Sequence, residues 1–189
     1  NQNHPRAQFM LGLIYLEGKY VAQDISKTIN YYTLSANQNF TAAQTQLGLI
    51  YREGKFVKKD INKAIHYLTL AADHNDVKAQ FALGMIYFKG RDIKKDIDKA
   101  IHYYTLAAKQ NFTPAQSQLA LIYHDGRYVQ KDFIKASKYY QSAAKSYDPR
   151  SLFALGQIHF NGQYVKKDIN KAIRYISLAA DQNLDVAQY

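Results

Sequence analysis

Few side chains in this sequence have the types and spacing that metal binding requires. Cysteine is absent, which excludes disulfides and thiolate metal sites, and there are six histidines. No pair of these histidines is spaced one helical turn apart beside a carboxylate, as a helical zinc site would need. The sequence therefore predicts no metal site and no cofactor.

One short segment has the spacing of a catalytic motif. Ser142-Ala143-Ala144-Lys145 fits the Ser-x-x-Lys pattern of penicillin-recognising enzymes, but their other motifs are missing. The glycines occur singly, so no phosphate-binding loop is indicated. Because no acid, base and nucleophile converge in the pattern, we expect that the chain is not an enzyme.

Lysine pairs are the main charged feature of a chain whose formal net charge is +10 at pH 7. The residues of this Lys stripe are Lys58, Lys59, Lys94, Lys95, Lys131, Lys166 and Lys167. A basic stripe can bind RNA, DNA or an acidic membrane. A charge run is more often a solvated edge, and arginine, the usual residue of phosphate recognition, is scarce here. We therefore expect neither nucleic acid nor membrane as the partner, and anion binding by the Lys stripe is the alternative function.

The whole sequence repeats with a step of 36 residues, and no insertion or deletion interrupts the step. The step joins the glycines Gly18, Gly54, Gly90, Gly126 and Gly162. It defines repeats one to five as 7–42, 43–78, 79–114, 115–150 and 151–186 of a single domain, 1–189. Residues 1–6 match the end of a preceding repeat and 187–189 the start of a following one. We therefore expect a monomeric segment of a longer array.

Each repeat reads as two helices, here called helix A and helix B. In repeat two, Ala43 and Leu47 belong to one apolar face of helix A, which is predicted to end at Gly54 in a left-handed conformation. Asp60 is the predicted N-cap of helix B, which should end near Asn75. A unit of this size cannot bury its apolar faces alone, so neighbouring hairpins must stack into a continuous core.

A second glycine series lies inside helix A and has a different predicted role. Its members are Gly12, Gly48, Gly84 and Gly156, and repeat four has Ala120 at the same place. Since alanine is accepted there, the position needs a small side chain that lets helix B approach closely, not a positive φ angle. The series at Gly18 has no exception, which indicates a backbone conformation that other residues adopt at a cost.

The recurring pattern extends over essentially the whole chain. In repeat two it reads Ala43-x-x-x-Leu47-Gly48-x-x-Tyr51-x-x-Gly54-x-x-Val57-x-x-Asp60-x-x-Lys63-Ala64-x-x-Tyr67-x-x-x-Ala71-Ala72. It resembles the Sel1-like repeat, a relative of the tetratricopeptide repeat. The resemblance implies an all-α fold, a right-handed α-solenoid superhelix of five 36-residue helix-turn-helix repeats. It also implies a scaffold or adaptor that binds a protein or peptide.

By resemblance to related helical-hairpin repeats, helix A lines the concave surface, and its partner-facing positions are those that differ between copies. The candidate partner-binding residues are Phe9, Leu13, Leu16, Arg52, Phe81, Met85, Phe88, His124, Phe153 and Phe160. Exposed apolar surface usually marks an interaction site. The same side chains could instead fill the inside of a tight superhelix. The sequence leaves both interpretations open.

Two features of the sequence bear on the cellular location. Absence of cysteine and of a signal-peptide pattern favours the cytoplasm. Two Asn-x-Thr sequons, at Asn39 and Asn111, leave a secretory or endoplasmic-reticulum location open.

Overall fold

In a computed structural model, the described residues are 4–162 and 165–181, and over these ranges the chain forms ten α-helices and no strand. The helices are α1 (Pro5–Glu17), α2 (Ile25–Ala36), α3 (Thr41–Glu53), α4 (Ile61–Asp73), α5 (Val77–Lys89), α6 (Ile97–Lys109), α7 (Thr113–Asp125), α8 (Phe133–Ala144), α9 (Pro149–Asn161) and α10 (Ile169–Asp181). Odd-numbered helices are helix A of each repeat and even-numbered ones are helix B. The all-α prediction is confirmed. The segments 1–3 and 187–189, predicted to belong to neighbouring repeats, lie outside the described residues.

The chain forms two compact units, Asn1–Tyr103 and Tyr104–Tyr189. In the first unit, Leu68 of α4 and Leu83 of α5 are fully buried in one cluster, so helix B of repeat two packs against helix A of repeat three. In the second unit, Ala120, Tyr140 and Leu155 share a cluster that joins repeats four and five. Within each unit, neighbouring hairpins thus share an apolar interior, as a small helical repeat requires.

The turn from helix A to helix B is held by a glycine and an aspartate. The five glycines of the Gly18 series have φ angles from 57° to 67°, as predicted for a left-handed helix end. In repeat two, the Gly54 amide donates to the Ile50 carbonyl (3.1 Å) and the Asp60 amide to the Tyr51 carbonyl (3.0 Å). The Asp60 carboxylate accepts a bond from the Lys63 amide at 3.0 Å. The predicted N-cap is therefore confirmed.

The turn from helix B to the next helix A also contains a left-handed residue. Asn75, predicted to end helix B, has a φ angle of 61°, and the equivalent Asn39 and Asn111 have φ angles of 60° and 59°. Tyr147 takes the same conformation at 56°. The equivalent Asn183 lies outside the described residues.

Glycines inside helix A let helix B approach closely. A Cβ atom on Gly48 would lie 2.5 Å from Cγ of Leu68, and one on Gly12 would lie 2.5 Å from the Tyr32 ring. This contact distance explains why only small residues occupy the position, as predicted. The two glycine roles inferred from the sequence are therefore both present.

Candidate protein-binding surface

Two of the candidate residues in repeat one belong to the core of the first unit. The Phe9 ring stacks on Tyr32 and tilts against Phe40, with ring centroids 5.3 Å apart in both pairs. Leu16 packs against the same buried cluster. Leu13 is half-buried. At the N-terminal end of this unit, the apolar side chains of helix A thus contribute to folding.

Helix α5 carries a different arrangement. Phe81, Met85 and Phe88 follow one another at helical spacing on one face, and all three are half-buried. The Lys95 ammonium lies 5.9 Å from the centroid of the Phe88 ring. The core therefore leaves part of this apolar stripe accessible.

In the second unit the candidate residues range from packed to exposed. The His124 ring makes edge contacts with Phe133 (5.6 Å) and Tyr140 (5.9 Å) and is half-buried, as is Phe153. Phe160 is 54% exposed, with the Lys167 ammonium 5.6 Å from its ring centroid. Phe160 is thus the most accessible of the ten candidates.

Two polar residues at the positions equivalent to Phe9 and Phe81 are buried. Thr45 is 3% exposed, and Ser117 is 6% exposed and donates a 2.8 Å hydrogen bond to the Asp148 carboxylate. This position lies closer to the core than the other variable positions of helix A.

The first unit has a surface pocket of about 180 Å³ that brings together residues from both candidate sets. It is lined by Arg52, Lys59, Ile61, Met85, Ile86, Lys89, Arg91 and Asp92. Lys59 and Asp92 form an ion pair of 2.5 Å, and Arg52 contacts Glu53 at 3.3 Å. The sequence pattern places Arg52 and Met85 among the candidate partner-binding residues and Lys59 in the Lys stripe. That these residues line one pocket was not predicted from the sequence.

The seven residues of the Lys stripe are all exposed, four in the first unit and three in the second. Several contact their own chain. Lys59 pairs with Asp92, while Lys95, Lys131 and Lys167 lie over aromatic rings. The ion pair offsets the charge of Lys59, whereas the ring contacts leave the other ammonium charges in place.

Buried tyrosines do not supply a catalytic base. Burial raises the pKa of Tyr32 and of Tyr140 to about 12 and raises that of Tyr104 further. These hydroxyls stay protonated at neutral pH, and their rings fill the core.

Metal-binding clusters and membrane-spanning helices are both absent from the described part of the chain. Residues 4–162 and 165–181 contain no group of three or more His, Cys, Asp or Glu side chains that could hold a metal ion. Over the same ranges, no helix has both the length and the apolar character of a membrane span.

The model of the Sel1 repeat matches five consecutive stretches of the chain, 5–40, 41–76, 77–112, 113–148 and 149–184. The chain belongs to the Sel1 repeat family. The predicted solenoid class, with five 36-residue helix-turn-helix repeats, is confirmed. The family model begins each Sel1 repeat two residues earlier than the step taken from the sequence, where helix A also begins. Sel1 repeat proteins are generally scaffolds for protein interactions and generally non-catalytic.

Solved structures of Sel1 repeat proteins are similar over nearly the whole chain. A protective antigen of uropathogenic Escherichia coli strains, described as having an SLR fold, is 29% identical, with a TM-score of 0.95 over 100% of this chain. A Sel1 repeat protein from Oxalobacter formigenes is 33% identical, with a TM-score of 0.85 over 98% of this chain and 76% of its own. The chain spans only 40% of the Escherichia coli antigen. Comparison with curated proteins gives no match.

The Sel1 repeats also contain a buried amide that the sequence analysis did not single out. The Gln44 side chain donates to the Ala36 carbonyl at 3.2 Å, tying helix A of one repeat to the end of the preceding helix B. Gln80 and Gln116 make the equivalent bonds to Ala72 and Ala108. The signal was visible as a glutamine that recurs every 36 residues next to the apolar face.

Proposed function

We propose that the chain is a non-catalytic scaffold that binds a protein or peptide on its helix-A surface. Family membership supports the general role. The observation that supports the choice of this surface is the half-buried apolar stripe on α5, formed by Phe81, Met85 and Phe88. Aromatic and methionine side chains of this kind are enriched where proteins meet.

The fold does not require apolar residues at the positions of Met85 and Phe88. Repeat two has Arg52 where repeat three has Phe88, and repeat five has an exposed Gln157 where repeat three has Met85. The helices form in all these repeats. Partly exposed Met85 and Phe88 are therefore better explained by an interaction than by stacking of the repeats.

Capture of partners with the intact chain tests this proposal. The test variant carries Phe81→Ser and Phe88→His, the residues that repeat four has at these positions, so the fold should be kept. The control is Ile134→Asn, which removes a 72% exposed apolar side chain from helix B and installs the residue of repeat two. We expect proteins that bind the unmodified chain and the control to be lost with the test variant, while circular dichroism shows unchanged helicity.

The affinity of a captured protein, once purified, decides the outcome. Loss of one well-packed aromatic contact weakens binding by about 1 kcal/mol or more, so the double variant should bind at least about tenfold more weakly. Equal binding by the folded double variant and the unmodified chain would show that the α5 stripe is not the binding surface.

A second candidate function is anion binding by the Lys stripe. It is favoured by Lys58, Lys94 and Lys166, which are exposed and make no ion pair or ring contact with any described residue. A salt titration with a labelled single-stranded oligonucleotide tests it, because counterion release makes such binding fall steeply with salt. Tight, salt-sensitive binding that is lost when these three lysines are replaced by serine would favour this function over the protein scaffold.

A further inference from the structure

We infer that the pocket between α3 and α5 in the first unit is a subsite of the protein-binding surface. It binds an acidic side chain of the bound protein segment, beside a neighbouring apolar residue of the same segment. This inference rests on the proposed function and specifies the chemistry of the partner. It is carried by the pocket's charge and by residues that depart from the repeat pattern.

Lys89 reverses the charge found at its position in other repeats. The equivalent residues are Glu17, Glu53, Asp125 and Asn161, so three of the other four copies are acidic. The shared fold therefore does not need a cation at the end of helix A. Lysine at this place changes the sign of the surface in repeat three alone.

Two more pocket residues depart from the pattern. Arg52 stands where the other repeats have Leu16, Phe88, His124 and Phe160. Asp92 stands where they have the aromatic residues Tyr20, Phe56, Tyr128 and Tyr164. Three substitutions from two different repeats thus meet in one pocket. Substitutions without a function would be expected to scatter over the repeats and not to occur together in one pocket.

The charges of the pocket are complementary to a carboxylate. Asp92 is neutralised by Lys59, and Arg52 is only partly satisfied by the exposed Glu53. Lys89 and Arg91 are exposed and form no ion pair with any described residue. The pocket therefore presents an excess of positive charge and an arginine that can donate hydrogen bonds to a carboxylate oxygen.

The rest of the lining distinguishes a protein segment from a nucleic acid. Ile61, Met85 and Ile86 supply an apolar floor of a size suited to one side chain. None of the eight lining residues has an aromatic ring on which a base could stack. An acidic residue beside an apolar residue matches both parts of the pocket.

Selection from a random-peptide display library against the intact chain tests the inference, followed by fluorescence anisotropy with a labelled synthetic copy of the most enriched peptide. We expect enrichment of Asp or Glu next to an apolar residue. Lys89→Glu installs the residue of repeats one and two, and we expect it to weaken binding of that peptide about tenfold. Arg52→Leu, the residue of repeat one, should act in the same direction.

Arg127→Glu is the matched control, because it replaces an exposed cation of the second unit and changes the net charge by the same amount. It should leave the affinity within about twofold, so that an effect of overall charge is separated from an effect of the pocket. Thermal melting of each variant checks that the fold is kept.

Four results would overturn the inference. One is a set of selected peptides without acidic enrichment, or no selected peptide at all. Another is equal weakening by Lys89→Glu and Arg127→Glu. The third is binding of a labelled single-stranded oligonucleotide that is tighter than that of the peptide and depends on Lys89. Peptides whose binding depends on Phe81 and Phe88 but not on Lys89 would leave the scaffold function standing while removing the subsite.

Discussion

Replacing Gly90 with alanine should destabilise the protein more than the same change at Gly54 or at Gly162. Gly90 ends α5 with a φ angle of 57°, and its amide donates to the Ile86 carbonyl at 3.1 Å. An added Cβ would lie 2.5 Å from Cβ, 2.7 Å from Cα and 2.8 Å from the amide nitrogen of Lys95. Backbone atoms cannot rotate away as a long side chain can.

The expected loss combines two effects. A left-handed conformation costs a residue with a Cβ about 1–2 kcal/mol, and crowding in a packed site adds roughly 1–3 kcal/mol. For a chain of this size, each kcal/mol lowers the melting temperature by about 2–4 °C. We therefore expect Gly90→Ala to lower the melting temperature by roughly 4–20 °C.

Two other glycines provide an internal comparison. A Cβ on Gly54 would meet Lys59 at 2.7, 3.1 and 3.2 Å, and one on Gly162 would meet Lys167 at 3.0, 3.4 and 3.4 Å, with the same φ of 67° at both. The three alanine variants, measured by urea unfolding and thermal circular dichroism, should lose stability in the order Gly90, Gly54, Gly162. At Gly162 the loss should be close to the conformational cost alone, about 1–2 kcal/mol.

Equal losses at the three glycines would refute the contribution of crowding and leave conformation as the only cause. An unchanged melting temperature for Gly90→Ala would refute both parts of the reasoning. Because the turn after Gly90 carries Arg91 and Asp92 of the pocket, this variant should also weaken binding of the selected acidic peptide.

Three further outcomes are expected. Gln44→Leu should change the free energy of unfolding in urea by less than about 1 kcal/mol, because loss of the bond to the Ala36 carbonyl is offset by removal of the buried Oε1, which has no hydrogen-bond partner among the described residues. The Ala36 carbonyl keeps the Asn39 amide as a donor, and Leu152 fills the same place in repeat five. Ser117→Ala should lower it by about 1 kcal/mol in the same assay through loss of the bond to Asp148. In a pH series of thermal melts, we expect acid to lower the melting temperature. Carboxyl groups whose pKa is lower in the folded chain stabilise the fold above their unfolded pKa of about 4, and this stabilisation is lost as the pH falls through the folded pKa values. The groups concerned, whose pKa is lowered mainly by a hydrogen bond from a backbone amide, are Asp24, Asp132 and Asp168.

The repeat and its helix ends could be predicted from the sequence because local rules decide them. Gly54, Asn75 and Asp60 each have a backbone or capping preference that acts within a few residues. Comparison of five copies strengthened each assignment, since the exception Ala120 separated a need for smallness from a need for positive φ. The structure confirms these roles because they depend little on distant parts of the chain.

The extent to which each helix-A side chain is buried could not be predicted in the same way. Phe9 and Phe160 are both variable positions of helix A, yet Phe9 stacks on Tyr32 while Phe160 is largely exposed. Burial depends on what helix B and the neighbouring repeat place opposite the side chain, and periodicity does not contain this information. For the same reason, the sequence did not predict that Arg52 and Lys89 line one pocket, since these residues are 37 positions apart.

Tyr147 shows how strongly the repeat geometry constrains the backbone. It adopts a φ angle of 56° although asparagine is better suited to that conformation, and its ring is 59% exposed. Its amide still donates to the Ala144 carbonyl at 3.0 Å, as the Asn75 amide donates to Ala72 at 2.9 Å. The turn therefore keeps its conformation when the residue does not favour it, because the hydrogen bonds and the packed helices on both sides fix it. If the backbone cannot diverge between copies, differences in function between repeats must come from their side chains. That is the reason to give weight to Arg52, Lys89 and Asp92, whose departures from the repeat pattern converge on a single pocket.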